Sequence, residues 1–206
     1  MMAGQVTVVY NIVRDELGTI LEQCTGFTAA AEAHDCFLVG EDPAFRMDQL
    51  TLPGAFAAVA VSNPSYGKRI MVDVSFIEEQ CASHRTQAAE EGPRQALEDR
   101  ENTENVRHQG SFDPGCFLLR TVAVGSFGAV GPQGHELIDA MANQYVARRG
   151  FAGVAAAAEY KSSAMAMIRG RLSVSLQMVL SACVHQYLSV QRRQVLGSTA
   201  YGTLIN

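Results

Sequence analysis

No run of about 18 residues is free of charged or strongly polar side chains, so the sequence offers no membrane span. The start, Met1-Met2-Ala3-Gly4-Gln5, has no basic region leading into an apolar core, and a secretory signal is not expected. No C-x-x-C pair occurs among the five cysteines, Cys24, Cys36, Cys81, Cys116 and Cys183. Odd in number and without ligand spacing, they argue against a zinc ribbon and against a full disulfide framework. Reduced thiols in an intracellular compartment, nuclear or cytoplasmic, are expected, with Cys116 and Cys183 packed in apolar surroundings. Neither Gly-x-Gly-x-x-Gly nor Gly-Lys-Ser/Thr is present, so the glycine-rich turn Gly125-Ser126-Phe127-Gly128-Ala129-Val130-Gly131-Pro132 is not expected to cradle a nucleotide. Internal repeats and low-complexity tracts are also lacking.

What remains is a chain of 206 residues with an apolar share large enough for one sizeable core. A single domain over residues 1–196 is expected, with a small, polar tail at 197–206 that frays. Charge is unevenly spread: residues 1–110 carry 8 Lys/Arg against 17 Asp/Glu, and residues 111–206 carry 8 against 4. A nucleic-acid surface would have to draw on Arg148, Arg149, Lys161, Arg169, Arg171, Arg192 and Arg193.

Apolar periodicity predicts an amphipathic helix over 6–23, with Val9, Val13, Leu17, Ile20 and Leu21 on one stripe. Short β-type segments follow at 27–31, 45–52 and 56–62, then a stronger strand at 69–77 after the turn Asn63-Pro64-Ser65-Tyr66-Gly67, which suggests an antiparallel meander. Residues 83–108 read as a solvated helix broken at Gly92-Pro93, its charges on the surface. A strand over 116–124, a helix over 133–149 and a helix over 154–191 complete an α/β or α+β order, a small mixed sheet flanked by helices. The strand at 69–77 is expected in the middle of the sheet, with the helix at 133–149 packed on it.

The most informative residue is Asp73, within Ile70-Met71-Val72-Asp73-Val74-Ser75-Phe76. A carboxylate in a β-branched strand is costly to bury without a metal, a base or a hydrogen-bond network. Glu32 follows the apolar stretch 27–31 and Asp48 lies on the possible strand 45–52, and three acids from successive elements of one sheet would form a cation site. The competing reading leaves each acid facing solvent.

Several phrases, in order, carry a resemblance. Tyr10-Asn11-Ile12-Val13-Arg14-Asp15-Glu16-Leu17 is similar to an opening helix H-N-x-x-R-D-x-L, with Tyr10 in place of the histidine. Glu32, Met47-Asp48 and Val72-Asp73-Val74 follow, then Leu97-Glu98-Asp99-Arg100, Phe127-Gly128-Ala129-Val130-Gly131-Pro132-Gln133-Gly134 and Arg171-Leu172-Ser173-Val174-Ser175-Leu176. Together they resemble the restriction-endonuclease-like nuclease domain of retroelement reverse-transcriptase polyproteins and their stand-alone relatives.

The resemblance implies a PD-(D/E)xK core in which Glu32, Asp48 and Asp73 hold Mg²⁺ or Mn²⁺, with DNA as substrate and other polyprotein domains as partners. The chain departs from the pattern at both lysine positions, which carry Ser75 and Glu101. Lys68, at the end of the turn before the strand, is the nearby lysine that could substitute by folding back over Asp73. The interval from Asp48 to Asp73 is also longer than usual, which suggests an insertion at 53–67. Three functions follow as expectations: a weakly active divalent-metal-dependent endonuclease, a decayed relic acting as a nucleic-acid or protein interaction module, and a structural subunit of a larger assembly.

Overall fold

The computed structural model describes residues 3–38, 46–77, 92–126, 128–150 and 154–202. Helix α1 (Ala3–Thr25) leads into strands β1 (Ala30–Ala33) and β2 (Met47–Leu50). A short helix α2 (Ala57–Ala60) and a 3-10 turn (Pro64–Gly67) separate β2 from β3 (Arg69–Ile77). Helix α3 (Pro93–His108), β4 (Phe117–Gly125), α4 (Pro132–Arg149) and α5 (Val154–Gly202) follow. Helix α5 thus runs on through Gly197 to Gly202, into the segment read as a tail. No helix among the described residues is long and apolar enough to cross a membrane.

The four strands form one mixed sheet in the order β1-β2-β3-β4. The first three pair antiparallel as a meander, while β3 and β4 run parallel because α3 carries the chain back across the sheet. Strand β3 therefore has a neighbour on each side, and its residues alternate between two faces. Ile70, Val72 and Val74 enter the main core with Leu17 and Ile20 of α1, Leu137, Ile138 and Met141 of α4, and Ile168, Leu172 and Leu176 of α5. On the other face, Ile77 packs with Leu97 of α3 and Ala123 of β4. Helix α1 comes so close to the sheet that a Cβ on Gly18 would meet the Gln49 amide at 2.6 Å, and that amide donates to the Arg14 carbonyl at 3.1 Å.

Three expectations need correction. The segment 56–62 is not a strand: Ala57–Ala60 is helical and pinned to α4 where the Ala58 amide donates to Gln144 Oε1 at 3.1 Å. A short apolar run does not distinguish a strand from a buried helical turn, and alanine is the best helix former. Helix α4 packs on β4, while α1 covers β3, because the tight turn after Gly125 returns α4 over the strand it has just left. Cys116 is exposed in the turn before β4, whereas Cys24 and Cys36 are buried and burial pushes their thiols up to about 11. Cys81 lies outside the described residues.

Candidate metal centre

Sheet register brings the three acids of the sequence into one row. Strands β1 and β2 pair Ala31 with Gln49 and Ala33 with Met47, which sets Glu32 opposite Asp48. Strands β2 and β3 pair Gln49 with Val72, so the next step sets Asp48 opposite Asp73. Asp73 in turn pairs with Thr121 of β4.

The β2–β3 ladder ends at Gln49–Val72, and the Val74 amide, instead of continuing it, donates to Asp48 Oδ2 at 2.5 Å. A side chain thus satisfies a buried amide that the diverging strands leave open. The strands separate at the two aspartates, and Glu32, Asp48 and Asp73 all line one pocket of about 260 Å³.

Helix α1 supplies the pocket's near wall. Tyr10 and Arg14 stand four residues apart, one turn of helix, and therefore reach the same side. The Tyr10 hydroxyl donates to Asp48 Oδ1, and Arg14 donates to Glu32. Arg46 also reaches Glu32, at 3.3 Å. Glu32 is the one non-glycine residue with positive φ among the described residues, at 50°, a backbone state that is sparsely populated for such a residue. Its hydrogen bond from Arg14 holds the carboxyl below its usual range. Desolvation acts oppositely on the inner pair: burial raises Asp48 to about 6, and burial with the neighbouring Asp48 and Glu104 charges raises Asp73 to about 8.

The far wall is α3, which is not a solvated helix. Leu97, Glu101, Glu104 and His108 recur at helical spacing and are 2 %, 1 %, 5 % and 3 % exposed. This is the buried stripe of the helix, and three of its four members are titratable. One ligand atom each from Asp73, Glu104 and His108 lies within 4.8 Å of the others, so the cluster could hold a metal ion. Arg100 and Arg107 meet the Glu104 carboxylate at 2.5 and 3.4 Å, and Arg100 Nε donates to Ser75 Oγ at 2.5 Å. Burial and the Arg107 charge lower the His108 pKa, favouring the neutral imidazole that a metal requires. Glu104 and His108 were legible only as a Glu and a His four residues apart in a charge run.

The two lysine positions of the resemblance are occupied differently. Ser75 receives the Arg100 guanidinium, so a cation from α3 stands where the strand carries none. Glu101, one helical turn before Glu104, accepts instead from the Gln133 and Gly134 amides at 2.9 and 3.2 Å. It caps the N-terminus of α4, the position that a bound phosphate would take in a nucleotide loop. A Cβ on Gly131 would sit 2.2 Å from Glu101 Oε1, so the glycine makes room for an internal anion.

Lys68 is placed elsewhere. Its ammonium donates to the Pro114 carbonyl at 2.6 Å, and four strand residues, a rise of roughly 16 Å over the intervening steps, separate it from Asp73. The basic residues of the C-terminal half serve several contacts: Arg148 donates to the Gln23 carbonyl at 3.0 Å, Arg171 pairs with Glu16 at 2.6 Å, and Lys161 pairs with Asp139 at 2.6 Å. Searched against protein-family models and curated proteins, the chain matches none.

Proposed function

We propose that this chain is a divalent-metal-dependent DNA endonuclease-like domain of the retroelement type, with a restriction-endonuclease-like core and weak activity. The observation that carries the reading is the row Glu32, Asp48 and Asp73 across three neighbouring strands, opening on one pocket where the β2–β3 ladder stops. A small mixed sheet flanked by helices is the architecture that the resemblance implies, and the α2 excursion between β2 and β3 accounts for the long interval between the aspartates.

In this reading Asp48 and Asp73 are the inner ligands of Mg²⁺ or Mn²⁺, and Glu32 stands at the mouth under the control of Arg14 and Arg46. A bound cation would stabilise charge on the attacked phosphate and make a water more acidic. Tyr10 orients the Asp48 carboxylate through its hydroxyl. Arg14, Arg46 and Arg107 line the pocket as positive groups suited to a phosphodiester backbone. Cleavage is expected to be slow because both lysine positions lack a lysine, carrying Ser75 and Glu101, and the nearby cation Arg100 is engaged with Ser75 and Glu104. Loss of one well-placed cation costs about 2–4 kcal/mol, or a hundredfold or more in rate, by analogy with lost oxyanion donors.

A second reading, a catalytically decayed module that docks nucleic acid or protein, is favoured by the same engagement of Glu101 and by the two arginines on Glu32. Plasmid nicking in Mg²⁺ and Mn²⁺, with wild type, Asp48→Ala and Asp73→Ala, separates the two. Slow nicking abolished by either substitution supports the endonuclease. Duplex binding that persists without cleavage supports the docking module.

A further inference from the structure

The pocket contains an imidazole that magnesium chemistry does not call for. His108 closes the last turn of α3, is 3 % exposed, and stands one helical turn beyond Glu104. Both side chains face Asp73, which the central strand holds in register with Thr121 of β4. Asp73 therefore belongs at once to the acid row of the sheet and to a mixed nitrogen and oxygen triad with α3.

Mg²⁺ demands oxygen ligands in near-ideal octahedral geometry and keeps much of its water. Imidazole instead suits zinc, iron and nickel, and affinity for a nitrogen-containing site rises along the first transition row. Metal–ligand bonds of about 2.0–2.2 Å put neighbouring octahedral ligand atoms roughly 3 Å apart and opposite ones roughly 4.2 Å apart. Ligand atoms already within 4.8 Å of one another need only side-chain rotation to close on such an ion. The helix supplies two of the three ligands at fixed spacing, so the geometry does not depend on a loop.

We propose that Asp73, Glu104 and His108 form a site for a first-row transition-metal dication, with Zn²⁺ and Co²⁺ preferred over Mn²⁺ and Mg²⁺ the weakest. This deepens the proposed metal-dependent reading by naming the cofactor class, while its test needs no DNA. The ion takes over the positive charge that Arg100 and Arg107 now present to Glu104.

The experiment is calorimetric titration of the full chain with Zn²⁺, Co²⁺, Mn²⁺ and Mg²⁺ separately, alongside His108→Ala, Glu104→Gln and Cys116→Ser. The wild type is expected to bind Zn²⁺ and Co²⁺ more tightly than Mg²⁺. His108→Ala should weaken Zn²⁺ and Co²⁺ by at least about tenfold, the scale on which site residues tune metal affinity, and leave Mg²⁺ unchanged. The Co²⁺ absorption spectrum should lack a thiolate charge-transfer band and be unchanged in Cys116→Ser. If His108→Ala does not fold, Glu104→Gln decides through the same loss of Zn²⁺ and Co²⁺ affinity.

Mg²⁺ binding as tight as Zn²⁺ overturns the proposal, as does wild-type Zn²⁺ affinity in the folded variants. Transition-metal binding through His108 without DNA cleavage would sink the endonuclease reading alone. Asp73-dependent nicking together with wild-type Zn²⁺ and Co²⁺ affinity in a folded His108→Ala would sink the metal proposal alone.

Discussion

The two faces of the sheet bury comparable strands against chemically opposite partners. Toward α1, α4 and α5, the alternate residues Ile70, Val72 and Val74 meet leucines, isoleucines and a methionine. Toward α3, Asp73 and Ser75 meet Glu104, His108 and Arg100. The first face derives its stability from apolar area withdrawn from water. The second carries buried ionisable groups whose mutual compensation is incomplete, as the upward displacement of both aspartates shows. The larger apolar core lies on the first face, and the second holds its ionisable groups between two smaller apolar clusters that include Met71 and Ile77.

Substitutions across the strand break or sharpen that contrast. Leu137→Ala on the apolar side should cost about 2–5 kcal/mol through lost transfer energy and a residual cavity, measured by urea unfolding. Asp73→Asn on the polar side should stabilise the cation-free protein at pH 8 instead. If the two variants lose stability alike, the faces are not the opposites described. Glu101→Ala, which leaves the Gln133 and Gly134 amides without their carboxylate, should cost about 1–3 kcal/mol in the same assay.

The pH dependence has a definite direction. Asp73 titrates near 8 in the folded chain but near its ordinary value of about 3.9 when unfolded, so between these the folded state binds the extra proton. Stability of the cation-free protein is therefore fully present below about pH 4 as far as this group is concerned, and it falls as pH rises toward 8. The slope is at most about 1.4 kcal/mol per pH unit for one proton. Unfolding in a chelator from pH 5.5 to 8.5 measures it, and Asp73→Asn should flatten the curve. A slope of opposite sign in this window that Asp73→Asn removes would refute the assignment. The smallest effect is expected from Lys68→Ala: with its ammonium on the Pro114 carbonyl, its loss should leave any plasmid nicking unchanged. A large fall would mean that the lysine moves to the pocket when DNA is bound.

Legibility followed the same division. The strand at 69–77 was readable from its β-branched run, and α1, β4, α4 and α5 from apolar spacing or turn chemistry. Asp73 stood out because a carboxylate interrupts that run. The α2 segment was misread because four apolar residues carry no decisive period. Helix α3 was misread for a deeper reason: its inward stripe is Leu97, Glu101, Glu104 and His108, and a hydropathy pattern assigns charged residues to solvent. Tyr10 and Arg14 were visible as a motif, but nothing local says that they reach Asp48 and Glu32.

By itself the sequence determined the long helices, the strands at 69–77 and 116–124 and the chemical identity of the acids, because propensity, periodicity and turn residues act over a few positions. Tertiary structure alone decided that Glu32, Asp48 and Asp73 share a row, that Glu104 and His108 join Asp73, and that Glu101 caps α4. The reason is physical: burying a charge is favourable only when partners from distant segments compensate it, and strand register and helix packing choose those partners.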